Sequence, residues 1–411
     1  MPNLADRAHR IPASPIRKLV GYAEDAKAKG IEVFHLNIGQ PDLPTPPVFF
    51  EALKAHAPSV LSYSHSAGLP ALRKAIQQYY ARKGHGLSTE DIIVTTGASE
   101  ALNFLSGSII NPGDEIIIPE PFYANYVSLF IAAGANVVPI PTSIHEDFAL
   151  PSPEAFERAI SPKTKAILVC NPGNPTGIQY PESALRNLGE LAKKHDLFLV
   201  ADEVYREFVY GEVPHFSVLD LPDISENVIL VDSISKRFSA CGARIGCIIS
   251  RNERVKEAIL KLAQIRLASP TLDQLGAISL YQLPESYFKG VVSEYKGRRD
   301  LLLQRLQQME GVYAPNIAGA FYAMVELPID DAETFCKWLL TDFSYNSSTL
   351  MLAPGSGFYK QATSGRNQVR IAYVLQEEKL SFAMDCLEKG LEVYSANYKS
   401  PKISPHTQVL R

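Results

Sequence analysis

The segment from Ser233 to Gly246 places one lysine among small residues and an arginine eight positions further on. Lys236 could form an imine with an aldehyde, because burial and nearby cations favour loss of a proton from a lysine amine. Ser233 and Arg244 are residue types that bind a phosphate group well. An imine-forming lysine beside a phosphate site indicates pyridoxal phosphate, although Ser-x-Ser-Lys alone also fits a surface lysine in a Ser/Gly loop.

Asp202 could supply the acid that this cofactor requires. The run from Phe198 to Asp202 is apolar and ends in a carboxylate, where an acid can face a ring laid across the edge of a sheet. A carboxylate there would keep the pyridine nitrogen protonated, which lets the ring accept electrons from the substrate Cα. The alternative is an aspartate that caps the next turn.

Asn174 and Tyr205 are candidate donors to the cofactor. Asn174 lies in the loop of residues 170–177, whose Pro, Gly and Asn content predicts an irregular backbone with an outward-pointing amide. Donation to the cofactor oxygen O3′ by Asn174 and Tyr205 would favour its ionised form. The same loop also fits a plain tight turn. The predicted catalytic residues are Lys236, Asp202 and Tyr205.

Two further segments could complete a cofactor site. Gly97, Ala98 and Ser99 follow a predicted strand and open a predicted helix, so their free amides and the helix dipole could cradle a phosphate. Small-residue turns of this kind are also common in α/β proteins without a ligand. Tyr123 follows the next strand and could lie against the cofactor ring, or it could be an ordinary core aromatic.

Arg370 is the candidate for binding the substrate. It stands inside the apolar strand-like run from Asn367 to Tyr373, and a buried guanidinium requires an anionic partner. That partner is either the α-carboxylate of an amino acid, held by two parallel hydrogen bonds, or an internal Asp or Glu.

The elements that must position these residues alternate along the chain. Apolar runs such as Ala166–Val169 fit strands that helices cover on both faces. We therefore predict an α/β fold, with a large domain built on a mostly parallel seven-stranded sheet flanked by helices, and function at the carboxyl ends of the strands. The predicted strands are Asp91–Thr95, Glu115–Pro119, Asn136–Ile140, Lys165–Cys170, Phe198–Asp202, Val228–Asp232 and Gly246–Ser250.

The chain has 411 residues, which favours two domains. We predict an N-terminal arm with part of the small domain over residues 1–44, a large cofactor-binding domain over 45–290 and a small α+β domain over 291–411. The proline-rich arm is expected to be extended and to pack on the small domain. The small domain should contain a helix from Tyr295 to Met309 and a final helix, and the tail after Tyr398 should be frayed.

Composition argues against several function classes. A net charge of −4, with 20% charged residues, gives no basic field for nucleic acid or a membrane surface. The first ten residues lack the apolar core of a signal peptide and no window reaches the length of a membrane helix, so we expect a cytoplasmic protein. Five scattered cysteines, never in a Cys-x-x-Cys pair, indicate neither a disulfide framework nor a metal site.

Taken together, these motifs resemble the class I and II aminotransferases of the aspartate aminotransferase fold type, fold type I. The resemblance rests on the Lys236 segment and on residues 96–99, 121–123, 174–177, 201–205 and 369–371, which follow the family's order and spacing over nearly the whole chain. It implies pyridoxal 5′-phosphate as the cofactor. The family roles are phosphate binding by Ser233 and Arg244, pairing with the ring nitrogen by Asp202, contact with O3′ by Asn174 and Tyr205, ring stacking by Tyr123 and α-carboxylate binding by Arg370.

The resemblance also implies a homodimer with active sites shared between the subunits. Tyr63 would reach the phosphate of the neighbouring subunit, and Gly39 would meet the substrate carboxylate through its backbone. The implied reaction is a ping-pong transfer of the α-amino group of an L-amino acid to a 2-oxo acid, which we expect to be 2-oxoglutarate, through a Schiff base on Lys236.

The amino donor is less clear from the sequence, which fits aspartate or a broad or aromatic set. Ser99 stands where some aspartate-specific relatives carry a lysine, so dicarboxylate specificity stays open. Arg17 could supply the missing cation or be a solvated residue of the arm. Phe321 and Tyr322 could line the side-chain pocket or pack in the core.

Two other functions fit part of the pattern. A carbon-sulfur β-lyase or a cyclopropane synthase would use the same constellation, because these residues set the electron sink and not the bond that breaks. A regulatory protein with an aminotransferase-like domain would need a DNA-binding extension, and we expect none from the short arm that precedes the pattern.

Overall fold

A computed structural model of the chain describes residues 2–56, 58–361 and 363–397. The tail after Tyr398, which the sequence predicts to be frayed, lies outside the described residues. The strands are β1 Glu32–His35, β2 Ile92–Thr95, β3 Glu115–Glu120, β4 Asn136–Pro141, β5 Thr164–Cys170, β6 Phe198–Asp202, β7 Val228–Ser233, β8 Gly246–Ile249, β9 Tyr322–Glu326, β10 Ser348–Met351, β11 Ala353–Pro354 and β12 Gln368–Ala372.

Helices connect these strands and cover them. The α-helices are α1 Asp6–Arg10, α2 Val20–Ala28, α3 Pro47–Ala55, α4 Pro70–Arg82, α5 Gly97–Ile109, α6 Asn125–Ala132, α7 Pro153–Ala159, α8 Glu182–Lys194, α9 Glu253–Arg266, α10 Thr271–Tyr281, α11 Glu285–Gln307, α12 Ala332–Thr341 and α13 Glu377–Asn397. Short 3₁₀ segments lie at Thr89–Asp91, Ile144–Glu146, Val218–Asp220, Pro222–Ile224, Cys241–Ala243 and Gly355–Phe358.

The large sheet has seven strands in the order β2-β8-β7-β6-β5-β3-β4. All neighbours are parallel except β8, which runs antiparallel to both β2 and β7. β8 reverses direction because a compact loop, and not a crossover helix, joins it to β7. The predicted fold class is therefore confirmed, and each predicted strand agrees with the structure to within one residue at either end.

Both faces of this sheet are buried, as the continuous apolar runs indicate. Along β5, Ile167 and Val169 belong to one hydrophobic cluster, whereas Ala166 and Leu168 belong to another. Successive side chains of a strand point to opposite faces, so the two clusters lie on the two sides of the sheet. Helices that pack on both sides leave the strand ends as the open edge for a site.

A third cluster belongs to the smaller α+β part of the molecule. It gathers residues from α2 and β1 at the N-terminus and from the segment after Tyr295, including Leu19, Val33 and Tyr295. β1 pairs with β10, and β9, β11 and β12 form a separate antiparallel sheet. From Leu19 onward the arm therefore packs in the small-domain cluster, whereas α1 contacts α6 of the large domain. The arm is not extended throughout, because residues 6–10 and 20–28 are helical.

The helix predicted from Tyr295 begins ten residues earlier, at Glu285. Pro284 directly precedes the first turn, where a residue with a fixed φ and no free amide is tolerated. Phe288 packs in the core beneath the large sheet, whereas Tyr295 packs in the small-domain cluster. One helix thus crosses the proposed boundary after residue 290, and the domain boundaries stay predictions. Among the described residues no helix is long and apolar enough to cross a membrane.

Candidate active site

The ends of β5, β6 and β7 bring several of the predicted residues to one edge of the sheet. Cys170 and Asp202 are register partners at the ends of β5 and β6, and β7 ends beside them at Ser233. The turn that carries Lys236 follows directly. Polar groups from separate parts of the sequence therefore meet where an α/β sheet presents its ligand crevice.

Asp202 is buried, with 4% of its surface exposed, and it accepts two hydrogen bonds. The Tyr126 hydroxyl donates to Oδ2 at 2.7 Å and the Val204 amide donates to Oδ1 at 3.3 Å. Burial raises the pKa of Asp202 to about 6, although the hydrogen bonds from Tyr126 and Val204 and the nearby Lys236 ammonium act to lower it. The carboxylate caps the turn after β6, as the alternative interpretation predicts. It also faces the site, where a cationic partner would stabilise its charge.

Tyr126 was missed by sequence reasoning. It is the second residue of α6, and its ring meets the ring of Tyr123, which precedes the helix, edge to face with centroids 5.3 Å apart. No local pattern marks Tyr126, because its partner Asp202 lies 76 residues further along the chain. Tyr123 is half-buried, burial raises its pKa to about 12, and the charges of Arg370 and Asp202 act on its hydroxyl. Both tyrosines therefore lie at the site.

Lys236 extends from the turn after β7 into the site. Its Nζ donates to the backbone carbonyl of Gly39 at 2.8 Å and lies 3.9 Å from Cys241 Sγ. A Cβ at position 39 would overlap the hydroxyl of Tyr322, so glycine is needed for the close approach of Tyr322 to this backbone. The structure thus brings Gly39, named only on the resemblance, next to the predicted lysine.

The start of α5 and the start of β8 form an anion cradle. Gly97 has a φ of +74°, and a Cβ there would overlap the Arg244 guanidinium, so the arginine lies directly against the glycine. A Cβ on Gly246 would lie 2.8 Å from the amide nitrogen of Ala98. Ser99 is exposed at the same helix end. Free amides, a helix N-terminus and a guanidinium together make a site that attracts a phosphate.

Ser233 closes the base of this cradle. Its Oγ donates to the Ile245 carbonyl at 2.9 Å and lies 2.8 Å from the hydroxyl of Ser235, a second serine that sequence reasoning did not single out. Both serines are buried, and the Ser-x-Ser spacing was the signal that could have found Ser235. The cradle therefore offers two hydroxyls, one guanidinium and several amides.

Arg370 is almost fully buried and has no acidic partner among the described residues. Its Nη1 donates to Asn174 Oδ1 at 3.0 Å and its Nη2 donates to the Asn37 carbonyl, but its buried Nε has no hydrogen-bond partner in the described part of the chain. Burial lowers the pKa of Arg370. An internal ion pair, the alternative interpretation, is thus absent from the described part of the chain. A buried cation with a free donor is suited to an incoming carboxylate.

Aromatic rings enclose this guanidinium. Its central carbon lies 4.6 Å from the Tyr322 ring centroid and 4.8 Å from that of Phe358. The Tyr322 hydroxyl shares a 2.9 Å hydrogen bond with Tyr205, which is buried. Tyr322 therefore reaches the site, whereas Phe321 is fully buried and packs edge to face on Tyr205 at 5.2 Å.

Tyr63 stands apart from this cluster, whereas the charge of the arm residue Arg17 acts on the Tyr123 hydroxyl. Tyr63 is 80% exposed in a loop with the exposed Val60 and Leu61, and the chain by itself does not bring it to the cradle. Arg17 is also exposed, although the carbonyl of the preceding Ile16 accepts a 2.7 Å hydrogen bond from the Asn37 side chain. The arm is therefore tied to the segment that also contacts Arg370.

Fold and site together define an enzyme of the pyridoxal phosphate type. The family model described as aminotransferase class I and II matches residues 31–386. An aspartate aminotransferase of Pyrococcus horikoshii is 31% identical over 395 residues, which cover 95% of this chain and 97% of that protein. The chain belongs to the class I and II aminotransferase family, so it is a transaminase with pyridoxal phosphate as its cofactor.

Solved structures agree with this assignment. An alanine aminotransferase from Pyrococcus furiosus superposes with a TM-score of 0.87 at 32% identity, covering 95% of this chain and 100% of that one. The Thermus thermophilus aspartate aminotransferase with maleate superposes with a TM-score of 0.86 at 32% identity and the same coverage. The cradle at Gly97 and the buried acid at Asp202 fit the phosphate and the ring nitrogen of this cofactor.

Proposed function

We propose that the protein transfers the α-amino group of an L-amino acid to a 2-oxo acid, with 2-oxoglutarate as the acceptor, in a ping-pong reaction on Lys236. The observation that carries this proposal is the buried Arg370 without an acidic partner, close to the Lys236 amine. Arg370 donates to the Asn37 carbonyl and Lys236 donates to the Gly39 carbonyl. These carbonyls are two residues apart, and two residues of extended backbone span about 7 Å. An α-amino acid can then place its carboxylate on Arg370 with its Cα beside Lys236 Nζ.

The residue roles follow from these positions. When bound, pyridoxal phosphate supplies an aldehyde for the amine and an electron sink for the charge on Cα. Lys236 Nζ would bind the aldehyde at rest and, once freed by the substrate amine, would take the proton from the substrate Cα and deliver it to the cofactor carbon that carried the aldehyde. Asp202 keeps a proton on the ring nitrogen, and Tyr126 orients this carboxylate.

The remaining residues bind and orient. Ser233, Arg244 and the amides of Gly97, Ala98 and Ser99 would hold the phosphate. Tyr205 and the Asn174 amide would donate to O3′, while Asn174 also fixes Arg370 through the 3.0 Å hydrogen bond from Nη1. Tyr123 would lie on the ring, and Gly39 would meet the substrate carboxylate through its backbone.

The amino donor is proposed as aspartate or a broader set that includes aromatic amino acids. Relatives with 31–32% sequence identity to this chain are named aspartate aminotransferase, aspartate/prephenate aminotransferase and alanine aminotransferase. The absence of a lysine at position 99 supports the broader set. Tyr322, close to Arg370, gives the pocket an aromatic wall.

We also propose a cytoplasmic homodimer with shared sites. Val60, Leu61 and Tyr63 are 72%, 59% and 80% exposed, an apolar surface that a second copy would cover. Gln274 anchors this loop by donating to Ser64 Oγ at 2.9 Å, so Tyr63 is presented on a held backbone. All five cysteines are free, which supports a reducing compartment.

The test is a set of half-reactions. Cofactor-loaded protein is mixed with each common L-amino acid, and the visible absorbance of the lysine-bound cofactor is followed before and after addition of 2-oxoglutarate. We expect donors to remove this absorbance and the oxo acid to restore it, with glutamate as product. Release of pyruvate and ammonia from a sulfur amino acid without any oxo acid would instead establish a β-lyase. Lys236→Ala serves as the control that shows neither change.

A further inference from the structure

A fully buried ion pair joins two residues that flank Lys236 in the sequence. Asp232, in β7, and Arg237, the residue after Lys236, each have 0% exposed surface. The Arg237 Nη2 donates to Asp232 Oδ1, and this pair joins the end of the strand to the turn that carries the lysine. Lys236 thus lies between the strand end and a side chain anchored in the core.

The acidic partner is held by several donors. Besides Arg237, the Ser233 amide donates to Oδ1 at 2.7 Å and the Tyr80 hydroxyl donates to Oδ2 at 2.8 Å. Ser233 is also a residue of the phosphate cradle. Asp232 therefore links the backbone of the cradle to the backbone of the lysine turn through one carboxylate.

The basic partner is fixed from the other side. The Arg237 guanidinium lies 4.9 Å from the Tyr79 ring centroid, and the Tyr287 hydroxyl donates to the Arg237 carbonyl at 3.1 Å. The Nε and Nη1 of Arg237 find no hydrogen-bond partner among the residues that the structure describes. A buried pair with unsatisfied donors is a weak source of stability, because the cost of removing charges from water offsets the attraction. Stability alone is therefore a poor reason for this pair.

We propose that Asp232 and Arg237 are positioning residues that hold the Lys236 amine in place for proton transfer and keep the charge near it balanced. This inference rests on the proposed role of Lys236. An error of about 1 Å in the position of a catalytic group costs on the order of 100-fold in rate. Anchoring the strand end at Asp232 and the residue after the lysine, Arg237, in the core limits that error.

The opposite charges of Asp232 and Arg237 allow a test that distinguishes positioning with charge balance from a purely structural role. Other charged or titratable groups around the pair come from several elements: Tyr79 and Tyr80 on α4, Asp202 at the end of β6, Arg206 and Glu207 after β6, Cys247 on β8 and Tyr281 on α10. In wild-type protein the pair is neutral as a unit. Arg237→Met leaves a negative charge near the lysine, and Asp232→Asn leaves a positive one.

The measurement is the pH titration of the visible absorbance of the cofactor bound to Lys236, together with kcat and KM. A buried charge about 10 Å away shifts a pKa by on the order of one unit. Arg237→Met should raise the titration midpoint, because a negative charge favours the protonated cation. Asp232→Asn should lower it, and the double variant D232N/R237M should return close to wild type.

The kinetic readout separates positioning from charge. Arg237→Met and the double variant should both lose about tenfold or more in kcat with KM little changed. Arg237→Lys should restore the midpoint and part of the rate. The control is Lys256→Met, which breaks another buried ion pair, between Lys256 Nζ and Asp91 Oδ1 at 3.1 Å. Asp91 directly precedes β2, at the end of the sheet opposite the site, so this variant should leave the titration midpoint unchanged.

The outcomes are distinct for the two proposals. Wild-type protein without a titrating visible absorbance on Lys236 would overturn the proposed function itself. If wild-type protein titrates normally, the single variants decide the role of the pair. Midpoints in both single variants that equal the wild-type midpoint, or that move in the same direction, would overturn that role alone. If a single variant does not fold, the double variant and Arg237→Lys still decide, because a double variant with wild-type kcat contradicts positioning.

Discussion

Arg370 offers the sharpest perturbation, because it is a buried guanidinium without an acidic partner in the described chain. Arg370→Met removes the proposed clamp while keeping an apolar side chain of similar length. Loss of one partner of a buried hydrogen-bonded charge pair costs about 2–5 kcal/mol, which corresponds to a loss of roughly 30-fold to a few thousand-fold in kcat/KM. We expect that loss for L-amino acids.

A truncated substrate isolates the interaction. An amine with the same side chain but without the α-carboxylate cannot contact Arg370, so wild type and Arg370→Met should react with it at similar rates. The assay is the half-reaction, followed by the loss of visible absorbance under single-turnover conditions. Equal losses with the amine and the amino acid, or retention of wild-type kcat/KM for amino acids, would refute the clamp.

Arg298 is the matched control for stability. It is also fully buried, but Asp42 and Glu294 accept from it at 2.6 and 2.9 Å. Arg298→Met should lower the free energy of unfolding by about 1–3 kcal/mol, because the hydrogen bonds to its carboxylate partners are lost while the exposed Asp42 stays solvated. Arg370→Met leaves no carboxylate behind, and its loss of hydrogen bonds is offset by removal of an uncompensated charge. We expect a change of about 1 kcal/mol or less in the cofactor-free protein.

Three further predictions follow from single residues. Burial raises the folded-state pKa of Asp202 to about 6 from 3.8, so the free energy of unfolding of cofactor-free protein should fall by about 3 kcal/mol in total as pH rises from about 3 to 7. Denaturant titrations of Asp202→Asn should lack this part of the slope, and an unchanged slope would contradict it. Gly97→Ala should weaken cofactor binding about tenfold or more by displacing Arg244, whereas Gly84→Ala, at a φ of +91° with open space around it, should cost stability without changing cofactor affinity in a fluorescence titration. Tyr63→Ala mixed with Lys236→Ala should regain activity through hybrid dimers that contain one intact site, and no regain in a mixture shown to exchange subunits would argue against shared sites.

The strands of the large sheet could be predicted because their signal is local. Runs such as Phe198–Asp202 are apolar at every position but the last, and burial on both faces requires this pattern. The start of α11 could not be placed as well, because its first half packs under the large sheet and its second half in the small domain. The apolar residues of the first half face one core and those of the second half face another. Only the second half therefore has the sequence pattern of a single amphipathic helix.

The candidate site shows the same division. Lys236, Asp202 and Arg370 stand out because charged residues at the ends or middle of apolar strands are costly without a partner. The contacts that orient them were not predictable, since Tyr126 meets Asp202 and Asn37 meets Arg370 across 76 and 333 residues of sequence. Such pairs depend on how the elements pack, and no local pattern encodes them.

The covalent state of Lys236 tests the central claim most directly. Cofactor-loaded protein is reduced with borohydride, digested and analysed by mass spectrometry, with Lys236→Ala as the control. The account predicts one pyridoxyl adduct, on the peptide that contains Lys236, and none in the variant. An adduct on another lysine, or unchanged adduct formation in Lys236→Ala, would contradict it.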